Sequence, residues 1–498
     1  MEKSVIIVGA GMAGLSAGCY ARMNGYKTVI FEQHNIPGGL CTAWKRKGYT
    51  FDISMHLVTG SIKGAHKQMW QELGVTDSIK FHVHDHYALI DGGENKLLYA
   101  TSRQKVEEQM MAISPEDEKL IRKFTRMIFG PDILDAASLK PAEISSFFEK
   151  IKVFPRILPL LKYFITESKN TLQDFASGFT NLFLRDAVRF IADGPGWPMP
   201  QYPMIALAGF INSTVTKSGV PLGGSQAVAF KMAELYKKLG GEFRFRSYIK
   251  NLIVKDNEVK GIMLNDGTEH LADYVIWAGD GHTLIFDILK SRYMDERIKK
   301  MYQAWTPVKP IVHVMMGVNR DFSNEPHRII FKPHKVETIS GEKREWLCML
   351  HHSFDPSMAP IGKSVVEVWY DSDFDYWEKL YSDKEKYKSE KQKIADYTIS
   401  EMEFRYPGFK SQLEVVDVPT PMTYKRYTEN WKGSPDGWYL TNMNLTTGEP
   451  MHRLPGLERL YTAGQWTGPY TGTVIAALSG RQAVELICRR ENIVFKTR

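Results

Sequence analysis

Long apolar runs are missing from this chain. Its uncharged apolar stretches, such as Pro203 to Ser213 and Pro310 to Val318, fall short of the about 20 residues that a bilayer-spanning helix needs, so no transmembrane span is expected. Cysteine is scarce as well. Cys19, Cys41, Cys348 and Cys488 are the 4 cysteines of a 498-residue chain, far apart and without a C-x-x-C pair. That argues against a zinc site or a redox dithiol and makes a reducing cytoplasm the default. No metal ligand set is expected. Dense Lys/Arg blocks are also absent: 64 basic against 57 acidic residues leave a mild +7, so nucleic acid is not an expected partner. Gly and Pro are scattered and form no tracts, which speaks against long linkers.

What is present is the composition of a soluble globular enzyme, 43% hydrophobic and 24% charged. At roughly 150 residues per domain the length corresponds to two or three domains, and a chain of this size buries a core without covalent staples. Lys3 and the small apolar residues after it imitate a signal peptide, but the glycines that follow point elsewhere.

Val5 to Val8 is a β-branched run followed at once by Gly9-Ala10-Gly11-Met12-Ala13-Gly14, the strand, glycine turn and helix order of a dinucleotide site. Gly9 permits the tight turn, Gly11 lets backbone approach a pyrophosphate, and Gly14 lets helix and strand pack closely. The helix expected from Met12 to about Asn24 closes at Gly25, and its amino end offers N–H groups and a positive dipole to a phosphate. A second strand, Lys27 to Phe31, ends at Glu32, where a carboxylate accepts from the adenosine ribose hydroxyls and disfavours a 2′-phosphate. NADP is therefore the poorest candidate.

A second glycine pair follows in Pro37-Gly38-Gly39-Leu40-Cys41-Thr42, then Gly48-Tyr49-Thr50-Phe51-Asp52 and, downstream, His56 and Gly60. On these residues the chain resembles the FAD-dependent phytoene desaturase, carotenoid isomerase and retinol saturase family, within the amine-oxidase-like flavoproteins. Ser54 and Leu57 depart from that pattern. The resemblance returns at Val220-Pro221-Leu222-Gly223-Gly224-Ser225, which opens an amphipathic helix ended by Gly240-Gly241, and in the strands expected over Glu242–Val254 and Glu258–Leu264. It is most specific again at Ala463-Gly464-Gln465-Trp466-Thr467-Gly468-Pro469-Tyr470-Thr471-Gly472-Thr473-Val474, ahead of a small-residue helix.

The resemblance implies an α/β fold in which a Rossmann-like FAD-binding domain of the amine-oxidase type is interleaved with an α+β substrate domain. The first takes residues 1–60, 215–285 and 430–498; the second takes 61–214 and 286–429 and combines a helical part with a sheet. It implies FAD as cofactor, held by Gly9, Gly11, Ala13, Gly14, Glu32, Gly38, Gly39 and Leu40 at the amino end. Ile249 falls at the adenine, and Gly464, Gln465, Gly472, Thr473 and Val474 at the flavin. His56, Trp466 and Tyr470 are the candidates beside the ring, with His56 either a proton donor or a residue that only bonds backbone near the cofactor.

The implied activity is oxidoreduction at carbon–carbon bonds of a hydrophobic, polyene- or lipid-like molecule by hydride exchange with flavin N5, giving desaturation, saturation or isomerisation. No second Gly-rich fingerprint reloads the flavin, so a separate electron donor or acceptor is expected, unless the reaction is redox-neutral. The rivals are a flavin amine oxidase, with Trp466 and Tyr470 as an aromatic pair, and a non-catalytic prenyl-lipid-binding module of the same fold.

The intervening chain is read as mainly helical after a small sheet over Phe81 to Leu98, with a helix start at Ser114-Pro115-Glu116-Asp117. Phe147 to Ile165 interleaves Phe, Leu and Ile with Lys150, Lys152, Arg156 and Lys162. It is either a peripheral membrane contact that admits a lipid-like substrate or a pair of core helices, which leaves the location cytoplasmic with a candidate membrane association. His82, His84 and His86 would face one side of a strand, with Asp85 on the other; a half-exposed strand explains them more readily than metal. Asp193 to Gln201, with Trp197, reads as a cavity wall or as core, and Ser382 to Met402 as a solvated charged helix.

Overall fold

The computed structural model describes residues 2–54, 57–130, 139–146, 155, 158, 163, 165–448 and 451–497. Five strands form a wholly parallel sheet in the order Leu460–Thr462, Tyr274–Trp277, Ser4–Val8, Lys27–Phe31 and Glu242–Arg244. Val5, Ile6, Ile7 and Val8 are all buried, as a central parallel strand covered on both faces requires. Helices Met12–Met23 and Thr473–Arg490 cover the sheet back to back. A Cβ on Gly480 would stand 2.2 Å from the Ala13 carbonyl oxygen, so the two backbones touch only because the second helix has no side chain there. The sheet thus draws on the start, the middle and the end of the chain.

The second sheet has seven strands, in the order Leu413–Asp417, Ile311–Val318, Ser364–Asp371, Leu347–His351, Arg328–Phe331, His86–Asp91 and Lys96–Ala100. All neighbours are antiparallel except Arg328–Phe331 with His86–Asp91. Its two faces follow the two-residue period of a strand. Val312, Val314, Met316, Val366, Val368 and Tyr370 meet the helix Lys384–Arg405 in one core. His313, Glu367 and Trp369 alternate with them and look the other way, towards the parallel-sheet half of the molecule.

Several local expectations change. The small sheet over Phe81 to Leu98 does not stand alone: Phe81–His82 pairs with Val220–Pro221, while His86–Asp91 and Lys96–Ala100 form the edge of the seven-stranded sheet. The stretch Glu242 to Val254 is two strands, Glu242–Arg244 and Ile249–Lys255, separated at Arg246, whose φ of 54° breaks the run. A helix does begin at Pro115, as a 3-10 turn over Pro115–Asp117 that leads into the α-helix Glu118–Ile128, but the Ser114 side chain bonds no backbone: its hydroxyl donates to Asp117, which accepts from the Thr180 and Asn181 N–H groups. The charged helix runs from Lys384 to Arg405, and Ile394, Tyr397 and Met402 are buried on the sheet, so it is solvated only along part of its length. Phe147 to Ile165, the candidate membrane contact, lies outside the described residues except for Pro155, Leu158, Tyr163 and Ile165. Among the described residues no helix is long and apolar enough to cross a membrane.

Candidate functional site

At the carboxyl ends of Ser4–Val8 and Lys27–Phe31 the chain turns into a cavity of about 300 Å³. The Gly9 N–H donates to the Phe31 carbonyl at 2.8 Å, and the Gly38 N–H donates to the Ala10 carbonyl at 2.8 Å, which lays the two glycine turns side by side. Gly14 works by close approach: a Cβ there would stand 1.9 Å from the Gly9 carbonyl oxygen. At Gly11 a Cβ would meet nothing within 4 Å and would project into open space, as a backbone that must approach a pyrophosphate requires. Gly11 also opens the helix Met12–Met23 with no side-chain cap, leaving first-turn N–H groups available to an anion.

Glu32 is held in place by two backbone N–H groups. Its Oε2 accepts from the Ala10 N–H at 2.7 Å and its Oε1 from the His34 N–H at 2.8 Å, and a carboxylate has lone pairs left for two hydroxyls. Burial pushes its carboxyl above the usual range, against the pull of those backbone bonds.

Of the residues assigned to the cofactor at the amino end, Gly9, Gly11, Ala13, Glu32, Gly38, Gly39 and Leu40 line the cavity, as does Ile249. From the carboxyl end Gly464, Gln465, Gly472 and Thr473 reach it, together with Trp466. Gly14 and Val474 do not line the cavity and are packed behind its wall. His56 lies outside the described residues. Tyr470 is displaced from its expected place beside the ring: it is 47% exposed and does not line the cavity. Thr467, Gly468 and Pro469 turn inward before it, and the next position on the turn faces solvent.

Gly472 also lines the cavity and opens the helix Thr473–Arg490 without a side-chain cap. The Gly472 N–H donates to Asp436 at 2.8 Å and the Thr471 hydroxyl donates to the other carboxylate oxygen at 2.9 Å. Burial pushes the Asp436 carboxyl up to about 7. Asp436 lines the cavity and was not among the residues assigned to the site from the sequence. Asp52, in the Gly48-to-Asp52 segment, is engaged structurally: it accepts the Ser225 hydroxyl at 2.7 Å and the Ser54 N–H at 3.0 Å, tying the start of the chain to the helix Gly224–Lys238.

Opposite stands the wall made by the seven-stranded sheet, with Ile311, His313 and Trp369, joined by Trp197 and by Tyr424 from the helix Pro421–Thr428. Trp197, left between wall and core by the sequence, is on the wall, 6.1 Å from the Trp369 ring. Trp466 is buried and meets Trp438 edge to face at 5.2 Å. Within this aromatic wall lies a polar set. His313 Nδ1 is 3.1 Å from Glu367 Oε2, His313 Nε2 is 2.6 Å from the Tyr424 hydroxyl, and the Trp369 indole donates to Glu367 at 3.0 Å. Glu367 Oε1 is 3.0 Å from His352 Nε2. Burial disfavours a charged His352, but the bond to Glu367 and its charge outweigh burial and raise the imidazole pKa. The sequence signal for this set was a lone His and a lone Glu at period-2 positions inside otherwise apolar strands.

His82, His84 and His86 do not share one strand, because the chain leaves Phe81–His82 and re-enters pairing at His86. They still adjoin one another, with ring centroids 4.4 and 5.7 Å apart, and Asp85 bonds His86 at 2.6 Å instead of facing away. No group of three or more ligands positioned for a metal ion occurs among the described residues.

Similarity to known proteins agrees with this geometry. The profile of the flavin containing amine oxidoreductases matches residues 12–488. Prolycopene isomerase of Daucus carota is 23% identical over 96% of this chain and 79% of its own. The neurosporene-forming phytoene desaturase of Rhodobacter capsulatus is 26% identical over 97% of this chain and 93% of its own. Among solved structures, cyclohexylamine oxidase from Brevibacterium oxydans shares the fold, with a TM-score of 0.63 at 12% identity over 99% of this chain and 100% of that one. The chain belongs to the flavin containing amine oxidoreductases, a family of FAD-dependent oxidoreductases.

Proposed function

We propose that the protein exchanges hydride between the flavin and a carbon of a long hydrophobic substrate, making, removing or shifting a carbon–carbon double bond. The observation that carries this reading is the form of the cavity: it runs without interruption from the nucleotide end to an aromatic and aliphatic wall of Trp197, Ile311, Trp369 and Trp466. Such a wall suits a polyene or lipid chain, and polyene chemistry is what the isomerase and desaturase relatives are named for.

The residues present fit an FAD. Two helix amino ends without side-chain caps face the same cavity, open space lies over Gly11, and a carboxylate stands at the ribose position. In this reading the N–H groups at the start of Met12–Met23 hold the pyrophosphate, Glu32 the adenosine ribose and Ile249 the adenine. The amino end of Thr473–Arg490 stabilises negative charge on the pyrimidine edge. Bound flavin supplies two-electron chemistry at N5; the chain supplies orientation and exclusion of water. A separate donor or acceptor exchanges electrons with it unless the reaction is redox-neutral.

Purified protein is expected to be yellow, with a flavin spectrum. Anaerobic mixing with polyenes, enones and unsaturated fatty acids, alongside primary and secondary amines, tests the reading. Oxidation or reduction of the flavin by the carbon–carbon substrates alone is expected; a response confined to amines overturns it.

A further inference from the structure

Between Ile311, Met315 and Val365 the cavity face of the seven-stranded sheet carries one continuous hydrogen-bonded polar chain, separate from the Arg328–Tyr87 and Asp371–Arg344 contacts on the same face. His313 and Glu367 sit there because they alternate with Val312, Val314, Val366 and Val368, and cross-strand register sets His313 opposite Trp369 and Met315 opposite Glu367. Tyr424 closes the cavity end of the chain at 2.6 Å from His313 Nε2. His352 closes the other end at 3.0 Å from Glu367. Beyond His352 the rings continue through His327, at 5.7 Å, to His84, stacked on His327 at 4.6 Å, and to His82, at 4.4 Å. His82 and His84 are half-buried at the protein surface. The His84 Nε2 atom itself is buried and has no hydrogen-bond partner among the described residues. Stability alone gives no reason for this arrangement, because buried ionisable groups commonly stabilise less than the apolar residues that would replace them.

We propose that Tyr424, His313, Glu367 and His352 form the proton conduit of the cavity, moving one proton between a substrate carbon and the imidazoles of His327, His84 and His82. The proposal rests on the carbon–carbon reading above. When a double bond is made, one hydrogen leaves with its electron pair as hydride, taken by the flavin. The other leaves as a proton while its C–H pair becomes the new π bond. That proton goes to the Tyr424 oxygen as the tyrosine's own proton passes to His313 Nε2 and the His313 Nδ1 proton passes to Glu367. Saturation of a double bond runs the same chain in reverse. Burial holds the Tyr424 phenol well above its ordinary pKa, so it works by exchange and not as a standing phenolate. Asp52 and Asp355 add their charges to that of Glu367 in favouring a protonated His352, whereas burial lowers the imidazoles of His327, His84 and His82, which pass the proton on without holding it.

The test uses the FAD-loaded protein, in single turnovers on whichever polyene, enone or unsaturated fatty acid oxidises or reduces the flavin. Glu367→Gln and His313→Ala are expected to slow the step about 100-fold or more, with FAD content unchanged. Added imidazole restores His313→Ala, and Glu367→Asp recovers most of the rate. Rates within twofold of wild type, or a slow His313→Ala that imidazole does not restore, overturn the conduit. A second readout needs no turnover. In apoprotein labelled with [15N]histidine, water-saturation transfer to the buried His313 N–H is expected to be faster in wild type than in His352→Gln; equal transfer overturns the conduit. A wild type inactive on every carbon–carbon substrate overturns the functional reading instead, and the exchange measurement then decides the conduit by itself.

Discussion

The two ends of the cavity are built by opposite means. The nucleotide end is made of backbone: glycine turns, two bare helix amino ends and one carboxylate, nearly all within the first forty residues and one carboxy-terminal segment. The sheet end is made of side chains from positions 313, 367, 369 and 424, which meet only through strand register and one docked helix. A ligand common to many proteins is read by N–H groups that any sequence carries, so the constraint falls on where side chains are absent. A substrate peculiar to one protein is read by side chains that are present, and those can come from anywhere in the chain.

Gly14→Ala breaks the first end most severely. A methyl group 1.9 Å from the Gly9 carbonyl has no room, so the turn shifts and the protein is expected to purify without FAD, with stability lowered by about 1–3 kcal/mol in thermal or urea unfolding. A yellow, normally stable Gly14→Ala would erase the contrast between close-packed and open glycines. Glu32→Ala ranks next. It removes a charged acceptor for the ribose and leaves the Ala10 and His34 N–H groups without their partner, so FAD affinity should fall roughly 10- to 100-fold, at about 1.5–3 kcal/mol for hydrogen bonds to a charged group. Equilibrium dialysis with FAD measures this; unchanged affinity would remove Glu32 from the ribose site.

Asp436 sharpens the contrast at the junction of the two ends. Its carboxyl is raised to about 7 in the fold from an ordinary value of 3.8, so between these values the native state holds more protons than the unfolded chain. Its contribution to apoprotein stability is therefore fully present below about pH 4 and is lost as pH rises through 7. Asp436→Asn should flatten that part of the stability profile, and identical profiles in urea titrations from pH 5 to 8 would show that the carboxyl is ionised throughout. The smallest effect belongs to Tyr470→Ala. An exposed side chain off the cavity should change stability by no more than about 0.5 kcal/mol and leave single-turnover rates alone. A slowed reaction would bring Tyr470 back to the place beside the ring where sequence similarity had put it.

Legibility in the sequence followed the same division. The strand Lys27–Phe31 and the helix Met12–Met23 agree with their expected limits to within a residue, because β-branched runs, glycine turns and helix stops act over a few positions. The lining glycines were legible for the same reason. Tyr470 was not, since whether a turn residue faces a cavity or solvent depends on what packs against the turn. The charged stretch Ser382 to Met402 misled in a different way: its polar composition hid a second half that packs Ile394 and Met402 on the sheet. His313 and Glu367 were hidden in plain view, as single polar letters in strands whose buried faces could be recognised but whose partners could not.

The sequence by itself determined the dinucleotide turn, the ribose carboxylate and the α/β class, because those depend on consecutive residues and on the local geometry they permit. Only the tertiary structure decided that His313, Glu367 and Tyr424 share one wall, that His82 and His84 reach His327, and that Tyr470 faces outward. Strand register and helix docking are settled by the packing of whole faces, and contacts between residues tens or hundreds of positions apart exist only once those faces have met.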